Sequence, residues 1–472
     1  MIFLILILAT TLRLININQS LWLDEAINVV ASQNFTFWDF VTKYPIGDFH
    51  PPGYFVLLWI WTRIGGTGEI WVRLPSVFFG IGTVWVIYLL GKELFSKRVG
   101  LTGSILLALA PLHVYYSQEA RMYAMATFVV TLSFYFFWKL VKGEERGRVD
   151  WVGYTGCNIL VLYSDYLAYL IFPVQLIYLV IWKRSILISI SLSWMIGSLA
   201  IFPWIPVFLK QLSSGASAVS TLPGWASIVG GTSLKELFLI PVKTFFGKIS
   251  IDNNLIFGAV SSLVGLFYGA LIFNGAKKSE LGTRMLILWI SFPIILAFII
   301  SFFVPILSYF RLLFISPAFC LLLAKGVEAL HSRETPWRLT LWMICLVSIV
   351  SLAVYYTNPS FYREDWRGAV KKADQLAQKS GLIIFENDNL PYPFIYYSEN
   401  KSPAIGGLKK LPARFPEDIK ELPNTENIYL FEYLVDITDP KRVLEKRIEE
   451  KYKKVKTLNF NGVGFVHHYQ LQ

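Results

Sequence analysis

The chain has 472 residues, a formal net charge of +11, 55% hydrophobic and 16% aromatic residues, and 16% charged residues. Soluble proteins of this length carry roughly a quarter charged residues, so the composition excludes an ordinary soluble domain and points to a polytopic membrane protein. Much of the positive excess sits in short loops between apolar runs, where membrane topology and anionic headgroups account for it and no nucleic-acid partner is needed.

The apolar N-terminus, Met1 to about Leu14, has no basic n-region and no small-residue cleavage site before Trp22, so it reads as a retained first helix. Runs long enough for a hydrocarbon core of about 30 Å are expected near 1–15, 74–95, 101–117, 122–141, 152–168, 168–182, 186–206, 252–274, 285–304, 311–325 and 338–356. Five basic segments punctuate them: Lys92–Arg98, Lys139–Arg148, Lys183–Arg184, Lys277–Arg284 and Lys325–Arg338. By the positive-inside rule these face the cytoplasm.

The apolar segment Gly53–Ile64 is short and rich in aromatics, and Arg63 closes it. If it spanned the bilayer, every later basic loop would fall outside, so residues 16–72 read as one extracytoplasmic loop with interfacial helices. A second external loop, from about Pro206 to Ser250, carries Gly, Ser and Pro and reads as mobile. Residues 1–357 thus form a membrane domain. Residues 358–472 are charged and read as a small extracytoplasmic α/β domain, with helices at Glu364–Gln378 and Asp439–Tyr452 and strands at Leu382–Glu386, Ile428–Glu432 and Val463–Tyr469. Cys157, Cys320 and Cys345 lie in apolar runs without metal-ligand spacing and read as packing residues.

Every acidic motif with chemical character falls on the external side. Asp24 and Glu25, in WLDEA, offer a base, a metal ligand or simply a helix cap. The two prolines after His50 present that side chain externally, where as a lone histidine it reads first as structural, with a phosphate or a metal as the functional alternative. In the run from Tyr115 to Tyr123, Tyr116, Gln118, Glu119, Arg121 and Tyr123 lie between two spans with no room for a loop; either they work or Glu119 pairs with Arg121. Asp165 interrupts an apolar stretch and needs a cation, and Tyr309 and Arg311 close an external hairpin where the guanidinium either binds lipid phosphate or simply snorkels to the interface. Arg363, Glu364, Asp365 and Trp366 link the last span to the external domain as a surface collar. No Walker-type loop or GxGxxG appears, so an activated substrate reaching this side must arrive on a lipid.

The ordered set WLDEA, HPPGY, WVRLPS, SQEARMYA, a Tyr/Arg hairpin and REDWRG resembles glycosyltransferase family 39 and its relatives of the GT-C fold. These include dolichyl-phosphate-mannose–protein mannosyltransferases and lipid A aminoarabinose transferases. The resemblance is strongest over about residues 13–125 and returns at 305–370. It implies about eleven transmembrane helices, a polyprenyl-phosphate sugar donor, and inverting transfer to a lipid, glycan or protein acceptor at the outer face of the plasma membrane. It further implies Asp24 as base, Glu25 as the residue orienting it, and Glu119 as a second acidic site residue. His50, Arg121 and Arg311 would bind the phosphate leaving group. Some relatives use a divalent metal; Asp24, Glu119 and His50 could supply ligands, and the point stays open. The rival readings are a lipid or sugar transporter, against which the one-sided motifs and the lack of a repeat argue, and a non-catalytic polyprenyl-lipid binder.

Overall fold

A computed structural model of the chain describes residues 1–143, 147–221, 233–277, 280–331, 337–399 and 401–472. Among them, seven helices are long and apolar enough to cross a membrane: Glu69–Leu94, Tyr123–Lys142, Arg184–Gly215, Asn254–Ala276, Leu281–Ile300, Leu313–Leu330 and Trp337–Thr357. The pair Lys97–Leu109 and Pro111–Ser117 makes an eighth if counted as one bent span. Ile2–Leu14, Arg148–Ser164 and Leu167–Trp182 are shorter helical segments, so each of the eleven expected runs corresponds to helix. Lipid-facing helices such as Asn254–Ala276 bury only a minor share of their apolar window, whereas Tyr123–Lys142 buries most of its own at the centre of the bundle.

Local sequence shapes the end of the bundle that matters. Pro111 cannot donate to the preceding turn and forces Ala110 into an extended conformation, which bends the helix pair by 63°. That bend turns residues 111–117 so that Gln118, Glu119 and Arg121 follow in a buried turn before Tyr123. Deeper in the bundle, the Glu69–Leu94 and Lys97–Leu109 helices approach through Gly91 and Gly100. A Cβ on Gly100 would sit 2.5 Å from the carbonyl oxygen of Tyr88.

Several expectations are corrected. The helix expected from residue 74 begins at Glu69, which brings Arg73 into the helix, at the start of its second turn, as a fully buried residue. The external loop expected at 206–250 is helical over Ile205–Thr221 and Leu234–Phe246, because leucine, isoleucine and phenylalanine recur at helical spacing on both sides of its Gly/Ser tract. Residues 222–232 of that loop lie outside the described residues. Gly53–Gly65 is a helix, as read.

After Thr357 the chain forms a five-stranded sheet in the order β2-β1-β3-β5-β4, with β1 at Gly381–Phe385, β2 at Ala404–Gly406, β3 at Asn427–Phe431, β4 at Tyr452–Phe460 and β5 at Gly464–Leu471. The first three in that order are parallel, and β5 adds antiparallel to β3 and to β4. Helix Trp366–Ala377 covers one face over Ile383, Phe385 and Phe431, and helix Val443–Glu449 covers the other over Leu382, Ile384 and Leu430. Burial on both faces explains the unbroken apolar runs of β1 and β3. The helix expected over Asp439–Tyr452 is confined to Val443–Glu449, and Tyr452 opens strand β4 (YKKVKTLNF), which is not among the expected strands; its exposed lysines are those of a protected edge strand. Strand β2 is too short to announce itself.

Candidate active site

The helix Leu23–Asn34 carries two adjacent carboxylates into different surroundings. Glu25 is fully buried and clamped by Arg73: Nε donates to Oε1 at 2.8 Å and a terminal nitrogen to Oε2 at 2.5 Å. The Ala120 N–H donates to the same carboxylate at 2.7 Å, and the Trp22 backbone N–H reaches its Oε2 at 3.4 Å from the N-cap position. The remaining Arg73 donors reach the carbonyls of Ile17, Gln19 and Ser20. Burial pushes Glu25 up, yet Arg73 and Arg363 outweigh it and hold the carboxyl below the usual range.

Asp24 sits one position away, in the first turn, and is not the N-cap, because Trp22 takes that place. Its side chain is 32% exposed, against 0% for Glu25. Its nearest cation is Arg121, at 3.6 Å, too long for a hydrogen bond. Burial pushes the Asp24 carboxyl up, and Arg121, His50 and Arg311 pull it back only in part.

Arg121 is itself held by Asp48, to which it donates at 2.9 Å, and its Nε has no partner among the described residues. The His50 Nδ1 lies 2.5 Å from the other Asp48 oxygen, which leaves Nε2 as the ring nitrogen available to a ligand. Burial pushes Asp48 up, but Arg121 and His50 dominate and its carboxyl lies well below the usual range. Asp48 was not singled out from sequence; the signal was the acidic residue two positions before His50.

Glu119 and Arg121 do not pair with each other. Glu119 receives a 2.8 Å bond from Arg363, in the collar before the C-terminal domain, while Arg121 turns to Asp48 and Asp24. The turn between them is tight, with the Arg121 N–H on the Glu119 carbonyl, so the two side chains leave in different directions. The second Glu119 oxygen is buried without a partner among the described residues. Gln118 braces the first helix through the Arg13 and Ile15 carbonyls. Tyr116 and Tyr123 pack against Phe310, bringing the Tyr/Arg hairpin to this turn.

Arg311 has only two long bonds, at 3.3 and 3.4 Å, to the carbonyls of Pro305 and Ile306, and no carboxylate within 4 Å among the described residues. A half-buried guanidinium so weakly engaged is suited to an anionic ligand. Tyr309 accepts a 3.3 Å bond from Lys248, whose ammonium also lies over the Tyr115 ring. Lys248 sits in the second long loop, where nothing in the sequence distinguished it from other lysines. Asp165 accepts from the Leu167 N–H at 2.7 Å and feels His50 and Arg311 rather than contacting them.

Asp24, Asp48, His50, Arg121 and Arg311 therefore share one electrostatic neighbourhood, while Glu25, Arg73, Glu119 and Arg363 form a buried lattice beside it. An open cavity of about 690 Å³ at the seam with the C-terminal domain is lined by Gln33, Asn34, Glu69, Arg367, Tyr396 and Tyr397 among others, and not by these groups. Among the described residues no three His, Cys, Asp or Glu side chains are arranged to hold a metal ion.

Residues 49–209, about a third of the chain, match the dolichyl-phosphate-mannose-protein mannosyltransferase family. A curated relative, the putative mannosyltransferase YkcB of Bacillus subtilis, is 26% identical over 222 residues, covering 40% of this chain and 29% of that protein. Among solved structures, ArnT from Cupriavidus metallidurans bound to undecaprenyl phosphate superposes with a TM-score of 0.61 at 12% identity, over 99% of this chain and 97% of that one. The archaeal oligosaccharyltransferase AglB from Archaeoglobus fulgidus, in complex with an inhibitory peptide and a dolichol-phosphate, gives 0.56 at 13% identity, over 99% and 74%. The chain thus has the GT-C fold, and its residues 49–209 are similar to the dolichyl-phosphate-mannose-protein mannosyltransferases.

Proposed function

We propose that the protein is an inverting glycosyltransferase that moves a sugar from a polyprenyl-phosphate donor to a hydroxyl-bearing lipid, glycan or protein at the extracytoplasmic face of the plasma membrane. The observation that carries this reading is Asp24: a partly open carboxylate with a raised proton affinity, beside Arg121 and in the field of Arg311, which has no carboxylate within 4 Å among the described residues. In a single displacement Asp24 takes the acceptor hydroxyl proton as the acceptor oxygen bonds to the anomeric carbon. The bond from that carbon to the phosphate oxygen breaks on the far side, and its electron pair leaves with the polyprenyl phosphate.

Arg311 and Arg121, with His50, stabilise that developing charge. Arg121 is also braced by Asp48, which fixes its guanidinium before the lipid arrives. Glu25 serves as a structural clamp that orients the Asp24 helix, and Glu119 fixes Arg363. Both are positioning residues. Aromatic packing of Tyr116 and Tyr123 on Phe310 keeps the Arg311 hairpin against the base.

The test is release of polyprenyl phosphate from synthetic undecaprenyl-phosphate mannose, and from a panel of other polyprenyl-phosphate sugars, by purified protein in nanodiscs supplied with membrane extract as acceptor. Sugar-dependent release that disappears in Asp24→Asn supports the proposal. Release at equal rates by both proteins removes Asp24 as base, and net lipid translocation without release favours a transporter.

A further inference from the structure

The first turn of a helix leaves backbone N–H groups without intrahelical partners. In the helix that carries Asp24, the Leu23 N–H is one of these, and its acceptor comes from 341 residues away: Glu364 Oε2, at 3.1 Å. The same carboxylate is gripped by the C-terminal domain. The Trp366 ring N–H donates to Oε2 at 2.8 Å, and the Tyr433 hydroxyl to Oε1 at 3.0 Å. Trp366 is fully buried in the core of that domain, edge to face with Tyr433. A second tie runs beside it, from the Leu21 N–H to the Tyr397 hydroxyl at 2.7 Å.

From this geometry we infer that Glu364 is a positioning residue for the transfer reaction, through which the C-terminal domain caps and aims the helix bearing Asp24. The groups that face it are the Leu23 N–H, the Trp366 and Tyr433 donors, and the Asp24 carboxylate; neighbouring Arg363 turns the other way, to Glu119. Burial pushes the Glu364 carboxyl up to about 7, against the pull of its three donors. Ionised, it accepts from Leu23 as a charged partner, a stronger bond than a neutral acceptor makes. It also adds a negative charge beside Asp24, which strengthens that base. Protonated, it is close in shape and charge to glutamine.

The inference deepens the proposed transfer reaction and rests on it. Its test is the pH dependence of sugar release by full-length wild type, Glu364→Gln and Glu364→Ala, with thermal unfolding recorded for each. The expected result is convergence of wild type and Glu364→Gln near pH 5.5, and a deficit in kcat of about tenfold for Glu364→Gln at pH 8 with the donor KM unchanged. Glu364→Ala is expected to be impaired at both. A constant ratio between wild type and Glu364→Gln at every pH, or equal rates throughout, overturns the inference. If wild type releases no sugar from any donor, the transferase reading itself falls.

Discussion

Asp24 and Glu25 share a helix turn and a charge, and they differ in every respect that decides reactivity. Glu25 is sealed and its oxygens are taken by Arg73 and the Ala120 N–H, while Asp24 is a third exposed and meets a cation only at 3.6 Å. A buried bidentate pair fixes geometry, because neither partner can leave without stranding the other. A carboxylate with an incomplete set of partners keeps lone pairs for a substrate. Burial and partners thus make Glu25 a scaffold residue and leave Asp24 open to a ligand, in line with the separate roles that the family resemblance implies for the two positions.

Substitution sharpens that contrast most where the effects are largest. Asp24→Asn should cut sugar transfer by about 10²–10⁴-fold, the range for loss of a general base, while the thermal unfolding midpoint stays near wild type. Arg73→Met should do the reverse in kind, costing about 3–5 kcal/mol of stability by leaving Glu25 buried and unpaired. The double variant Arg73→Met/Glu25→Leu should recover much of that loss in the same unfolding assay. An Arg73→Met protein as stable as wild type would break the comparison.

Next in size is Arg311→Ala, expected to raise the donor KM by about tenfold through loss of one charge-assisted phosphate contact, with Arg311→Lys recovering part of it. Steady-state kinetics across donor concentrations would check this, and an unchanged KM would remove Arg311 from the phosphate site.

The smallest expected effect concerns Glu386, which follows β1 with both carboxylate oxygens buried and unpartnered among the described residues. Burial, then the nearby Asp439, Glu432 and Glu445, push it up to about 9. The folded value lies above the unfolded one, so its stabilising protonated form is kept at low pH. That contribution is lost as pH rises from the ordinary carboxylate range towards 9. Glu386→Gln should therefore melt near wild type at pH 5 and several degrees higher at pH 8.

Much of the architecture was legible because it follows simple rules: long apolar runs are helices, and the change of composition at residue 358 precedes the sheet of the C-terminal part. The site was legible as a set of motifs. Its wiring was not, because a pair such as Glu25–Arg73 or Glu119–Arg363 joins residues far apart in the chain, and the one pairing that proximity in sequence offered as an alternative, Glu119–Arg121, does not form. Asp48 and Lys248 were missed for the same reason, since their roles come from the neighbours that folding brings to them. Strand β4 was missed because an edge strand with outward lysines shows no apolar alternation.

The most direct test of the division between Asp24 and Glu25 is an experimental structure of the protein with a non-transferable polyprenyl-phosphate sugar. The account predicts the phosphate on Arg311 and Arg121, the anomeric carbon between that phosphate and Asp24, and Glu25 still closed on Arg73. A phosphate bound away from Arg311, or a sugar whose anomeric carbon faces Glu25, would contradict it.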